Sequence, residues 1–130
     1  MRGSDAARRT RLRIFRILAW VVSAAILVLT LSPTIPDVPL HVSHADKLSH
    51  VLAFFVWAAL VTAGWRWPGW LVLVVAAGFG IGIELVQPLT GRDAELADIA
   101  ADMAGAAAGL WLGLRLRAGD RDAKTRDGAA

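Results

Sequence analysis

The sequence predicts an all-α integral membrane protein, a bundle of four transmembrane helices with both termini on the cytoplasmic side. Three observations predict it. The chain is 56% hydrophobic over 130 residues, above the ~45–50% usual for soluble domains. Its charges are nearly absent from four long apolar runs. When those runs are threaded through a bilayer, the basic residues fall almost entirely on one side. A hydrocarbon core ~30 Å thick takes ~20 apolar residues as helix, so four spans and their turns use the length and leave no room for a soluble domain. The chain has no Cys, which excludes disulfide staples and thiolate metal sites.

Residues 1–13 read as a basic cytoplasmic tail. The first span covers 14–32, with an uninterrupted apolar and small stretch over 17–31 that stops at Ser32-Pro33 and a second proline at Pro36. A basic leader before an apolar run also suggests a signal peptide. The run exceeds the ~7–15 residues of such a segment and ends in Leu-Ser-Pro rather than a small-x-small cleavage site, so it is read as a span. The second span covers 48–65. The third covers 69–88 and is broken only by Glu84 and Gln87. The fourth covers 96–115 and carries Asp98 and Asp102. Together, 14–115 form one membrane domain. Residues 116–130 have few large apolar side chains and are expected to be a disordered cytoplasmic tail.

Lys and Arg concentrate on the cytoplasmic side of membrane proteins. Of the 14 basic residues, all but Lys47 and Arg92 lie in the N-terminal segment, at Arg66 or beyond Leu114. Those segments share one face, which places both termini inside. Trp20, Trp65, Trp67, Trp70 and Trp111 fall near that same interface, where indoles settle; Trp57 alone lies deep. The net charge of +3 and pI near 10.6 thus describe a topology signal, and no nucleic-acid partner is expected.

An acid at the centre of a span costs ~2.5–3.5 kcal/mol on an insertion scale. Three acids lie inside spans here: Glu84, Asp98 and Asp102. At ~1.5 Å per residue they fall within ~10 Å of the outer interface, together with Asp46, Lys47 and His50 at the start of the second span. On the fourth span Asp98, Asp102, Gly105 and Gly109 share a stripe at helical spacing. On the third, Gly80, Glu84 and Gln87 share a face, and on the second, Asp46, Lys47, His50, Phe54 and Trp57. The simplest assembly turns these faces together into a polar pocket open to the outer side. Span one offers only Ser23 and Thr30, so it reads as anchor and packing.

Each feature has a plainer alternative. The three acids also suit an internal polar clamp, and His50 a hydrogen-bonded packing histidine. Lys47 and Arg92 also suit a solvated rim. The Gly105, Gly109, Gly113 zipper suits close helix packing inside the chain or a homo-oligomer face. His41 and His44 with Asp46 are too loose a set for a metal site. Gly78-Phe-Gly80-Ile-Gly82 lacks the spacing and the preceding strand of a dinucleotide fingerprint, and no cofactor is expected.

At these residues the chain resembles the VanZ-like family, named for a glycopeptide (teicoplanin) resistance protein. That family's pattern has Asp-Lys-x-x-His opening a helix, Glu-x-x-Gln ending the next, an Arg in the following turn, and Asp-x-x-x-Asn opening a Gly-rich last helix. Here these read Asp46-Lys47-Leu-Ser-His50, Glu84-Leu-Val-Gln87, Arg92, and Asp98-Ile-Ala-Ala-Asp102 followed by Met-Ala-Gly105. The similarity spans about residues 29–114. Asp102 departs from it, standing where the family usually has Asn. The resemblance implies a multi-pass protein of the bacterial cytoplasmic membrane linked to glycopeptide resistance, with no established reaction.

Two functions follow as expectations. In one, the pocket binds or modifies an amphiphile of the outer leaflet, such as a lipid-linked envelope precursor or a lipoglycopeptide. Lys47 and Arg92 then hold phosphate or carboxylate, Asp46, Gln87, Asp98 and Asp102 line the site, and Glu84 and His50 exchange a proton. In the other, the chain is a structural or accessory subunit. Ion conduction is disfavoured, because the inner halves of all four spans are apolar.

Overall fold

The computed structural model describes residues 2–32 and 43–127, with side chains over 6–32 and 47–119. His41, Pro33, Pro36 and residues 128–130 lie outside the described residues, as do the side chains of His44 and Asp46. Four helices follow one another: α1 (Arg2–Leu31), α2 (Ser43–Gly64), α3 (Gly69–Val86) and α4 (Leu96–Asp127). A single 3-10 turn, Gln87–Thr90, follows α3. All four helices are long and apolar enough to cross a membrane, over Ala6–Leu31, Lys47–Gly64, Gly69–Thr90 and Leu96–Gly119. The chain is an all-α, multi-pass membrane protein.

Two helices run past their predicted spans. α1 begins at Arg2, so the predicted tail is helical almost throughout. α4 continues to Asp127, so the segment expected to be disordered is helical to that point. The physical reason is cooperative. A span has already met the cost of nucleation, and Arg, Ala, Leu and Lys propagate it well. At ~1.5 Å per residue, the 30 residues of α1 measure about 45 Å, longer than a ~30 Å hydrocarbon core.

The packing order is α1, α2, α4, α3: α2 lies between α1 and α4, and α3 rests mainly on α4. Glycines explain the closeness of α2 and α4. A Cβ at Gly105 would stand 2.2 Å from the Val51 carbonyl oxygen, one at Gly109 2.1 Å from that of Phe55, and one at Gly113 2.5 Å from Thr62 Cβ. The two backbones touch along the whole stripe. This corrects the homo-oligomer reading of Gly105, Gly109 and Gly113. All three are buried inside the chain, because their missing side chains are filled by α2.

The centre of the bundle is an aromatic cluster. Phe54, Trp57 and Phe79 meet with ring centroids 5.6–6.2 Å apart, surrounded by Ala58, Val72, Ala76, Ile83 and Ala106. The deep Trp57 donates its indole N–H to Ser23 Oγ at 2.9 Å, and Ser23 donates to the Ala19 carbonyl. Inside a bilayer no water would serve that N–H, so the Ser23–Trp57 pair makes the buried indole tolerable. Many large apolar side chains point outward instead, Leu29, Leu85, Leu89 and Trp20 among them. In a soluble protein such a surface would aggregate; against lipid chains it is solvated.

One end of the bundle carries both termini and is held by arginines. Arg16 Nε donates to the Gly64 carbonyl at 2.9 Å and lies over Trp65. Arg117 reaches the Trp67 carbonyl, and Arg115 lies over Trp111. The Arg16 bond satisfies a carbonyl that the end of α2 leaves open, and the Arg117 bond holds the turn after it. The opposite end gathers the polar residues.

Candidate functional site

The start of α4 organises the far end. A helix N-terminus leaves N–H groups without partners and attracts negative charge. Glu95 immediately precedes α4, and its backbone N–H donates to Glu84 Oε2 at 2.7 Å. A carboxylate from α3 thus caps α4. Asp98 lies in the first turn of α4, where its charge also suits the helix dipole.

From there a chain of charges crosses to α2. Lys47 Nζ donates to Glu95 Oε2 at 2.8 Å and stands 3.6 Å from Asp98 Oδ1. His50 Nε2 lies 3.7 Å from Asp98 Oδ2. His50 Nδ1 is 2.9 Å from Asp102 Oδ1. The imidazole is therefore held between two carboxylates one helical turn apart. Asp102 is reached from the other side by α3: a Cβ at Gly80 would stand 2.6 Å from Asp102 Oδ2. Gly80 makes room for the carboxylate.

The site also grips α1. Gln87 Nε2 donates to the Thr30 carbonyl at 3.3 Å, and Arg92 Nη1 to that of Leu29 at 3.4 Å. Gly91, at φ 78°, takes the left-handed conformation that lets the chain turn from the 3-10 helix into Arg92. Two bonds reinforce that turn, Gly91 N–H to the Pro88 carbonyl and Arg92 N–H to that of Gln87.

Burial separates two tiers. His50, Glu84, Gln87, Asp98 and Asp102 are each 6% exposed or less, whereas the Lys47 and Glu95 side chains are 35% and 52% exposed. Lys47 beside Glu95 holds that carboxyl below the ordinary glutamate range. Within the buried tier Glu84 Oε1, Gln87 Oε1, Asp98 Oδ1 and Asp102 Oδ2 have no hydrogen-bond partner, although Asp98 Oδ1 faces the Lys47 charge. Beside the tier lies a partly open cavity of about 180 Å³ between α1 and α2. It is lined by apolar side chains of both helices, with Thr30, Ser49 and His50 toward its polar end.

The structure thus brings together Lys47, His50, Glu84, Asp98 and Asp102 from three helices, and places Gln87 and Arg92 against α1. It differs from expectation in three ways. The buried acids and His50 pack on one another rather than lining an open bowl: His50 stands between Asp98 and Asp102, and Glu84 takes the Glu95 N–H; the open space nearby is mostly apolar. The hydrogen bonds of the expected Glu84–His50 pair run to other groups as well: Glu84 Oε2 accepts the N–H at the α4 N-terminus, and His50 stands against Asp98 and Asp102. Span one is more than an anchor, since its last-turn carbonyls receive Gln87 and Arg92. Sequence reading passed over Glu95, although Glu95 and Asp98, three apart before an apolar run, share a face. The Leu29 and Thr30 carbonyls carry no signal in side-chain chemistry.

The chain matches no protein-family model, no curated protein and no solved structure.

Proposed function

We propose that this chain is a VanZ-like protein of the bacterial cytoplasmic membrane, that its far end faces outward, and that this end binds an anionic amphiphile of the cell envelope, linking it to glycopeptide resistance. The observation that carries the reading is the juxtaposition of a buried acid–histidine cluster with a hydrocarbon-lined groove at one end of the bundle. Depth supports it. Asp102 lies six residues into α4, about 9 Å below its start, just beneath the headgroups of a bilayer. Ionisable groups kept there against an insertion cost are functional candidates by default. Arg92 supplies a fork for phosphate or carboxylate. Any proton transfer runs through His50, whose Nδ1 side is fixed by Asp102.

A resistance assay with Arg92→Ala and Glu84→Gln tests the reading. Both variants, at parental abundance, should lose the protection that the parent gives a glycopeptide-sensitive host. Undiminished protection from both would overturn it.

One observation favours a second reading, a structural subunit. Glu84, Lys47 and His50 each tie α4 to another helix, as a clamp does. A clamp alone predicts that Glu84→Gln lowers thermal stability and abundance in step with any loss of protection.

A further inference from the structure

The groove between α1 and α2 is separate from the polar residues that the proposed function uses, apart from His50 at its end. Its walls are Val22, Ala25, Ile26 and Leu29 from α1 facing Ala53 and Phe54 from α2. Both helices qualify as membrane spans over these residues, so the medium at the groove's open side is lipid hydrocarbon. An apolar cavity of about 150 Å³ accommodates a benzene-sized molecule and stays dry. The groove, at about 180 Å³, therefore takes a short stretch of hydrocarbon rather than a whole ligand or a water cluster.

Its two ends differ. Toward the middle of the bundle it ends on Val22 and Phe54. Toward the far end it ends on Thr30, Ser49 and His50, and the backbone of its wall is itself part of the polar site. The Leu29 carbonyl receives Arg92, and the Thr30 carbonyl receives Gln87. A cation thus stands at the polar mouth of an apolar slot. An arginine presents five donors in a rigid fork, enough to hold that carbonyl and an anionic oxygen together.

We infer that the groove holds one hydrocarbon chain of a membrane-resident anionic lipid, which enters sideways from the bilayer and places its headgroup over Arg92. This rests on the proposed function in taking the far end as an amphiphile site, and it assigns the part of the site that the lipid tail occupies. The chemistry fits one lipid tail and no second protein. The slot is narrow, lies at membrane depth, and has its only cation at the mouth among the described residues lining or touching it.

The experiment uses the full chain in phosphatidylcholine vesicles. One arm contains a phosphatidylglycerol with a diazirine on one acyl chain, and the other a phosphatidylcholine with the same chain. After irradiation, adducts are mapped by mass spectrometry. Adducts from the anionic probe should concentrate on Ala25, Ile26, Leu29 and Ala53, and should exceed those from the neutral probe. Ala25→Phe, at an exposed edge of the groove, and Ala53→Leu should each reduce groove labelling about tenfold, the worth of roughly two buried methylene groups. Arg92→Ala should remove the preference for the anionic probe. Thermal unfolding of each variant guards against misfolding, and Ala25→Phe serves if Ala53→Leu does not fold. Adducts scattered evenly over the outward faces of all four helices would overturn the inference, as would equal labelling by both probes. If filling the groove leaves Arg92-dependent lipid binding intact, the tail assignment fails and the proposed function stands. If Arg92→Ala leaves the preference for the anionic probe unchanged, both fail.

Discussion

At the scale of single residues, the informative contrast is between two polar pairs made by the same helix. His50 and Asp102 are buried and 2.9 Å apart; Lys47 and Glu95 are equally close but half-exposed. Removing one member of a buried hydrogen-bonded pair strands the other polar group, at about 1–3 kcal/mol. His50→Ala should therefore lower stability by that order in reversible micelle unfolding, and a variant as stable as the parent would contradict the pair. Asp102→Asn should be far milder, since an amide oxygen still accepts from a protonated Nδ1. The outer pair behaves differently with pH. Lys47 lowers the Glu95 pKa from its ordinary 4.5. A carboxyl with a depressed folded pKa stabilises the fold above its unfolded pKa and loses that contribution as pH falls through the folded value. Acidification below about pH 4.5 should thus weaken the α2–α4 tie at this point, and high salt should mimic the effect in part. Lys47→Met should flatten that part of the pH–stability curve; an unchanged curve would mean the pair contributes nothing. Lys47, His50, Glu84, Asp98 and Asp102 were legible in the sequence because charge inside a span is costly and therefore conspicuous. Their pairing was not, since depth ranks residues along the membrane normal and says nothing of which neighbour each one faces.

At the scale of helices, hydropathy located all four, and periodicity found the small-residue stripe on α4. A stripe of glycines states that something comes close and leaves the partner open. The structure supplies α2, whose Val51 and Phe55 carbonyls occupy the space of two missing side chains. Gly109→Ala should force the helices apart and cost about 1–3 kcal/mol, as overpacking does. The control lies on α3. A Cβ at Gly78 or Gly82 meets nothing within 4 Å, so alanine there should be neutral or stabilising by up to about 1 kcal/mol through helix propensity. Comparing the denaturation midpoints of these three variants separates packing from propensity. Equal effects at Gly78 and Gly109 would mean that α2 and α4 are not in backbone contact. The helix ends were less legible. Both α1 and α4 outlast their apolar runs, because a hydropathy window registers the bilayer boundary while a helix propagates until its own residues stop it. Glu84 shows the same limit from the other side. It reads as a buried acid in the sequence, yet its structural part is to accept the Glu95 N–H at the start of a helix eleven residues on.

At the scale of the whole molecule, charge placement and site placement constrain each other. The arginine-rich end and the acid–histidine end lie at opposite ends of the same bundle. Arg16, Arg115 and Arg117 mark one; Lys47, Glu84, Glu95 and Arg92 mark the other. Twelve of the 14 basic residues, all but Lys47 and Arg92, belong to the terminal end or to segments continuous with it. In the function we propose, which follows the rule that Lys and Arg stay inside, the polar end faces out. The proposed ligand depends on that sidedness, because a lipid-linked precursor or a lipoglycopeptide is met in the outer leaflet. The chain has no native cysteine, so single cysteines report without background. Ala94→Cys lies at the polar end, exposed between the 3-10 turn and α4. Thr10→Cys lies at the other end, exposed on the first turns of α1. A membrane-impermeant maleimide should label Ala94→Cys on intact cells and Thr10→Cys only after permeabilisation. The reverse pattern would put the acid–histidine cluster in the cytoplasmic leaflet. Every contact in the bundle would survive that result, but an outer-leaflet ligand would not, and the groove would have to be filled from the inner leaflet.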